Sequence, residues 1–149
     1  MKTAALRLRL NLYPPFLGAG IRVEHISDDF LAIDVAMRLR WFNRNYVGVH
    51  FGGSLYAMTD PFFMLMLMQN LGPAYIVWDQ AARIDFRRPG RGTVRARFRL
   101  TADEVARLRA AAASGEALRP VYTVEVRDED DTLVARVEKT LYVRRKPEG

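Results

Sequence analysis

The chain reads as an α+β protein in which one antiparallel sheet wraps around a single long helix. Three observations predict this. A stretch from Gly52 to Leu71 is almost wholly apolar and ends on Gly72-Pro73, a strong helix stop. Several segments before and after it alternate apolar and polar residues with period two, the mark of half-buried strands. Short turn-forming sequences join the later strands, as hairpins require. A helix apolar on every face has to be enclosed by other elements, and a sheet is the only partner these strands can build.

The length of 149 residues fits a single domain, 1–149, large enough for a real core, and half of its residues are hydrophobic. The N-terminal segment up to Tyr13 reads as a short helix stopped by Pro14-Pro15. A short strand, Ile21 to Ile26, is followed by the turn composition Ser27-Asp28-Asp29. Leu31, Ile33, Val35, Met37 and Leu39 then alternate with Ala32, Asp34, Ala36, Arg38 and Arg40, which makes a second strand. Trp41 to Phe51 reads as a loop. The central helix follows, and Pro61 either kinks it or opens a second helix capped by Asp60; the kinked helix is favoured because Ser54 to Met58 holds no turn residues.

In Ile76 to Phe86 the even positions Ile76, Trp78, Ala82, Ile84 and Phe86 form the apolar face, with Asp79, Arg83 and Asp85 opposite. The turn Arg87-Arg88-Pro89-Gly90-Arg91-Gly92 leads into Val94 to Leu100, where Arg95, Arg97 and Arg99 occupy the other face. Thr101-Ala102-Asp103-Glu104 is a capping box that opens a helix closing at Ser114-Gly115. Tyr122, Val124 and Val126 mark the next strand, and Leu133 to Val143 the last, joined by an acidic turn from Asp128 to Asp131. Such a sheet leaves open edges, so pairing with a second copy is expected.

Composition narrows the chemistry. With no cysteine there is neither disulfide nor thiolate–metal site, which fits the cytoplasm. Only His25 and His50 are present, so no metal site is expected. His25 lies in a strand and reads as structural, and the methionines of the central helix read as core filling. No apolar run approaches the ~18 residues of a membrane span. A net charge of +6 comes from an excess of arginine, suited to phosphate recognition or to solvating the outer sheet face. Nucleic acid is the weaker partner reading, since no recognition motif accompanies the arginines.

One carboxylate, Asp60, lies in the middle of the most apolar stretch, where a charge needs a partner or a task. Seven residues earlier, Gly53 with Gly52 offers unshielded backbone amides. Amide donors for an oxyanion together with a carboxylate are what acyl transfer uses. On one helix, Gly53 and Asp60 would lie about 10 Å apart along the axis. Either a longer substrate bridges them or two chains each contribute one element, for which a composite site in a two-fold dimer is the natural solution.

The run from Asn45 to Asp60, containing Asn45, His50-Phe51-Gly52-Gly53 and Asp60, resembles the loop and central helix of hotdog-fold acyl-CoA thioesterases of the phenylacetate-pathway type. Over most of its length the chain is similar to a bacterial, DUF4442-like branch of thioesterase-like hotdog proteins of unknown function. The resemblance implies a hotdog fold and hydrolysis of an acyl-CoA or other acyl thioester in a homodimer, with a tetramer of two dimers as a further expectation. It implies Asp60 as nucleophile or general base, the Gly52 and Gly53 amides as oxyanion donors, and Asn45 as a holder of water or carbonyl. It places nucleotide phosphates near Arg87, Arg88 and Arg91. No cofactor is implied beyond coenzyme A as part of the substrate. The family's histidine falls on Phe51, and His50, one position earlier, is a candidate for substrate orientation or an ordinary loop histidine. The alternative function is a non-catalytic acyl-CoA or fatty-acyl binding or sensing protein.

Overall fold

A computed structural model describes residues 3–149. Its six strands form one antiparallel sheet in the order β1-β2-β4-β5-β6-β3. They are β1 Ile21–Ile26, β2 Ala32–Arg38, β3 Tyr75–Phe86, β4 Thr93–Arg99, β5 Val121–Arg127 and β6 Leu133–Arg145. Five helices accompany them: α1 Thr3–Asn11, α2 Pro14–Ala19, α3 Gly52–Ala57, α4 Phe62–Leu71 and α5 Ala102–Ala111. The sheet encloses α3 and α4 as expected. None of the helices described is long and apolar enough to cross a membrane.

Pro14-Pro15 ends α1 but also starts α2, because a proline at the first helical position loses no hydrogen bond. Gly20 closes α2 with φ +78°, and the buried Asn43 ties that corner to the start of the long loop. The Asn43 amide donates to the carbonyls of Ala19 and Arg38 and accepts from the Arg40 N–H.

Within the sheet, Ile33, Val35 and Met37 on β2 and Val94, Ala96 and Phe98 on β4 face inward, as their alternation predicts. They meet an aromatic chain at the centre. Phe62 lies 5.8 Å from Phe16 and 5.0 Å from Phe98, and Phe63 packs edge-on against Phe98 and beside Tyr122. The Thr101 hydroxyl accepts from the Glu104 N–H at the start of α5, which is the predicted cap.

Two expectations change. The central helix comes in two segments rather than as one kinked rod. Pro61 has no N–H to continue the ladder, and residues 58–61 leave the helix. The Thr59 N–H and hydroxyl both turn back to the Tyr56 carbonyl, and the Asp60 N–H takes the Ala57 carbonyl. Asp60 does not cap α4 either, since Pro61 occupies the N-cap position.

The second change concerns β3. An irregularity between Asp79 and Ala81 puts one extra residue, Gln80, into the strand and shifts its phase. Val77 pairs with Val143 and Asp79 with Leu141, whereas Ala82 pairs with Lys139 and Ile84 with Val137. Asp79 therefore lies on the inner face, and Ile76 and Trp78 on the outer one, opposite the even-position pattern. β3 is also one of the two edge strands of the sheet, β1 being the other.

Candidate active site

The residues singled out in the sequence fall into two neighbourhoods. The first lies where the long loop meets the β3–β4 turn. A cleft of about 390 Å³ is lined there by Asn45, His50, Gly52, Phe86, Arg87 and Arg88, among others. Arg91, on the same turn, is exposed and does not line it. None of Arg87, Arg88 and Arg91 forms an ion pair among the described residues, so their donors are free for an anionic group.

Asn45 shapes the loop as well as the cleft. Its side-chain oxygen accepts from the N–H groups of Val47 and Val49, an Asx-type turn. His50 is buried. Its Nε2 lies 2.8 Å from the Gly92 carbonyl and its backbone N–H donates to the Gly90 carbonyl, so it fastens the loop to the arginine turn. Nε2 carries the proton in this arrangement, and Nδ1 meets no hydrogen-bond partner among the described residues. Burial pulls its pKa below the ordinary value, against the raising effect of the Gly92 carbonyl.

Gly52 and Gly53 begin α3. A methyl group on Gly52 would meet the Phe86 ring at 3.1 Å, and one on Gly53 would meet the Phe51 ring at 2.5 Å. Two aromatic rings thus lie directly against the glycine backbone. Neither glycine N–H donates to an acceptor among the described residues, which leaves both amides open.

The second neighbourhood centres on Asp60, at the break between α3 and α4. Its side chain is 47% exposed, so the expectation of a carboxylate hidden inside the helix is corrected: once the helix breaks, the turn carries Asp60 outward. Nor is it alone. The Lys139 ammonium, fully buried on β6, stands 3.8 Å from Asp60, 3.3 Å from Asp79 and 3.3 Å from the Tyr56 hydroxyl. Beside this group runs a groove of about 430 Å³ along the free edge of β3, lined by Tyr56, Asp79, Gln80, Ala81, Ala82 and Ile84. Burial pushes the Asp79 carboxyl above its ordinary range, Lys139 opposes this, and Asp60 adds to it. No cluster of three histidine, cysteine or acidic side chains gathers for a metal among the described residues.

Sequence reasoning passed over Lys139 and Asp79. Lys139 carried a usable signal. It occupies an inward position in the β6 alternation Val137, Lys139, Leu141, Val143, where an ammonium needs a buried partner. Asp79 gave no such signal, because the Gln80 bulge hides its true face.

A six-stranded antiparallel sheet wrapped around the two enclosed helix segments is the hotdog fold. The chain belongs to the family described as "Domain of unknown function (DUF4442)", whose model matches residues 2–143. No curated protein matches it. Among solved structures, a Pseudomonas aeruginosa protein described as a probable thioesterase superposes with a TM-score of 0.88 at 19% identity, covering 98% of this chain and 97% of that one. A Haemophilus influenzae thioesterase gives 0.69 at 19%, covering 99% and 94%. A variant of the Thermus thermophilus phenylacetic acid degradation protein PaaI gives 0.58 at 27%, covering 87% and 97%.

Proposed function

We propose that this protein hydrolyses an acyl thioester, with acyl-CoA as the substrate class, at a site completed by a second copy of the chain. The observation that carries the reading is the place of Asp60: a half-exposed carboxylate at a helix break, beside a groove on an open sheet edge. A carboxylate so placed can take a proton from an attacking water or attack the thioester carbonyl itself. The resemblance, and the likeness in fold to a probable thioesterase and to a thioesterase, support the reaction class.

The two neighbourhoods lie at opposite ends of α3. One copy supplies Asp60 and the other the Gly52 and Gly53 amides, which would hold the oxygen that becomes negative as the carbonyl is attacked. Arg87 and Arg88 line the amide cleft and Arg91 is exposed on the same turn, a cluster of guanidinium groups that would hold coenzyme A phosphates. Two features support the dimer. β3 is a long unpaired edge, and α4 leaves Met68 exposed with Met64 and Leu65 half-buried. Both would be covered by an antiparallel partner.

The test is thiol release from short, long and aromatic acyl-CoAs by the wild type and by Asp60→Asn, with sedimentation of the same samples. The expected result is turnover by a dimer and a loss of roughly 100-fold or more in the variant. Turnover unchanged by the substitution would remove Asp60 from the mechanism.

A second reading, acyl-CoA binding without hydrolysis, is favoured by one observation. Phe51 takes the position of the family's histidine, and its ring lies over Gly53. Saturable binding of acyl-CoA with no thiol release from any substrate would establish it.

A further inference from the structure

We propose that Asp60 works as one half of a carboxyl pair with Asp79, and that Lys139 is the positioning residue that holds the pair at the groove. The proposal deepens the hydrolase reading and rests on it only for the chemistry; the pair itself is a property of the fold.

Lys139 comes first because its placement costs most. A buried ammonium costs several kcal/mol unless it is paired. Every other inward position of β6 from Ala135 to Val143 is apolar, yet Lys139 is fully buried among them. It donates a hydrogen bond to the Tyr56 hydroxyl at 3.3 Å and lies at ion-pair distance from two carboxylates, Asp79 at 3.3 Å and Asp60 at 3.8 Å. All three distances exceed the ~2.8 Å of a tight charge-assisted bond. The ammonium is shared among them rather than locked to one carboxylate, as a purely structural ion pair would be.

Charge count gives the second step. Two carboxylates face one ammonium, so the group is neutral when it holds one proton between the two acids. Exposure decides which acid keeps it. The Lys139 side chain is 0% exposed, that of Asp79 21% and that of Asp60 47%. Both Asp79 oxygens are shielded from solvent and receive no hydrogen bond among the described residues. A proton is therefore held best on the inner Asp79, and the outer Asp60 is the carboxylate that meets water and the groove. The Gln80 bulge builds this order by turning Asp79 inward. The groups facing the pair are Lys139 from β6 and Tyr56 from α3, and α4 has no charged side chain.

Two coupled acids titrate in two shared steps, and one acid in a single step. The experiment follows the carboxyl carbon resonances of aspartates through a pH titration of the full-length protein. In Asp60→Asn, which removes the neighbouring negative charge, the Asp79 midpoint falls below its wild-type value. In Lys139→Met, which removes the opposing positive charge, it rises. The pH profile of kcat/KM for thiol release loses, in Asp79→Asn, the step that follows the Asp79 resonance in the wild type.

An Asp79 midpoint identical in the wild type and Asp60→Asn overturns the pair. An unchanged Asp79 midpoint in Lys139→Met overturns the role of Lys139. The resonances report even without turnover: absent thiol release with a coupled titration sinks the hydrolase reading alone.

Discussion

The Lys139 ammonium stands 3.3 Å from the Asp79 carboxylate, and no part of the lysine side chain reaches solvent. Both residues face the inner side of the sheet, on adjacent strands, with the lysine one inward position from the partner of Asp79. This pairing brings an acid and a base into the wall of a core that is otherwise apolar, next to the carboxylate on which the proposed chemistry depends.

The first prediction concerns pH and stability. The folded-state pKa of Asp79 lies above its ordinary value of 3.8, with burial outweighing the attraction of Lys139. Its stabilising contribution is therefore fully present below that ordinary value and is lost as pH rises through the raised one. Asp79→Asn stays neutral throughout. The melting temperature of the variant relative to the wild type should rise from pH 4 to pH 8, measured by thermal melts across that range. A relative fall would mean that the attraction of Lys139 dominates.

His50 should behave in the opposite sense. Its pKa lies below the ordinary 6.5, because burial penalises the charged ring. Protonation would also place an N–H at Nδ1, where no acceptor waits among the described residues. Stability from this residue is present above 6.5 and is lost as pH falls through the lowered value. His50→Gln, which keeps an N–H for the Gly92 carbonyl, should flatten the acid side of the stability curve. Denaturant unfolding at successive pH values between 7 and 5 checks it.

Phe62 is the keystone of the aromatic core, fully buried between Phe16 and Phe98. Phe62→Ala should cost about 3–5 kcal/mol, the transfer loss plus the cavity left behind. Urea unfolding of the wild type and variant measures it, and a loss under about 1 kcal/mol would show a core able to collapse into the space.

Gly20 tests the corner that carries the long loop. Its φ of +78° disfavours any side chain, and a methyl group there would lie 2.7 Å from the Asn43 amide nitrogen. Gly20→Ala should therefore destabilise by more than the ~1 kcal/mol that the backbone conformation alone predicts. It should also loosen the Asn43 bonds to Ala19 and Arg38, read as faster amide exchange around residues 40–44.

Much of the fold was legible in local pattern. The alternation in β2 and β4 reports which residues face inward, because a pleated strand sends neighbours to opposite sides. The Thr101 capping box and the Gly72 stop mark helix ends through local hydrogen bonding. The apolar run around Phe62 announces an enclosed helix. The cleft residues Asn45, His50, Gly52, Arg87 and Arg88 lie on two short segments that the sequence picks out, but the segments meet only because His50 bonds to Gly90 and Gly92, some forty positions on.

What sequence pattern by itself determined was most of the elements and, in β2, β4 and the apolar helix, the residues they bury, because propensity and periodicity act over a few neighbours. Tertiary structure alone decided the surroundings of Asp60. Pro61 splits the helix and turns that carboxylate outward. The Gln80 bulge moves Asp79 to the inner face, and strand pairing across the sheet sets Lys139 of β6 beside it. The inward turn of Asp79 and the placing of Lys139 depend on strand pairing between residues dozens of positions apart, where the electrostatic energy is fixed by distance and burial and leaves no trace in local order.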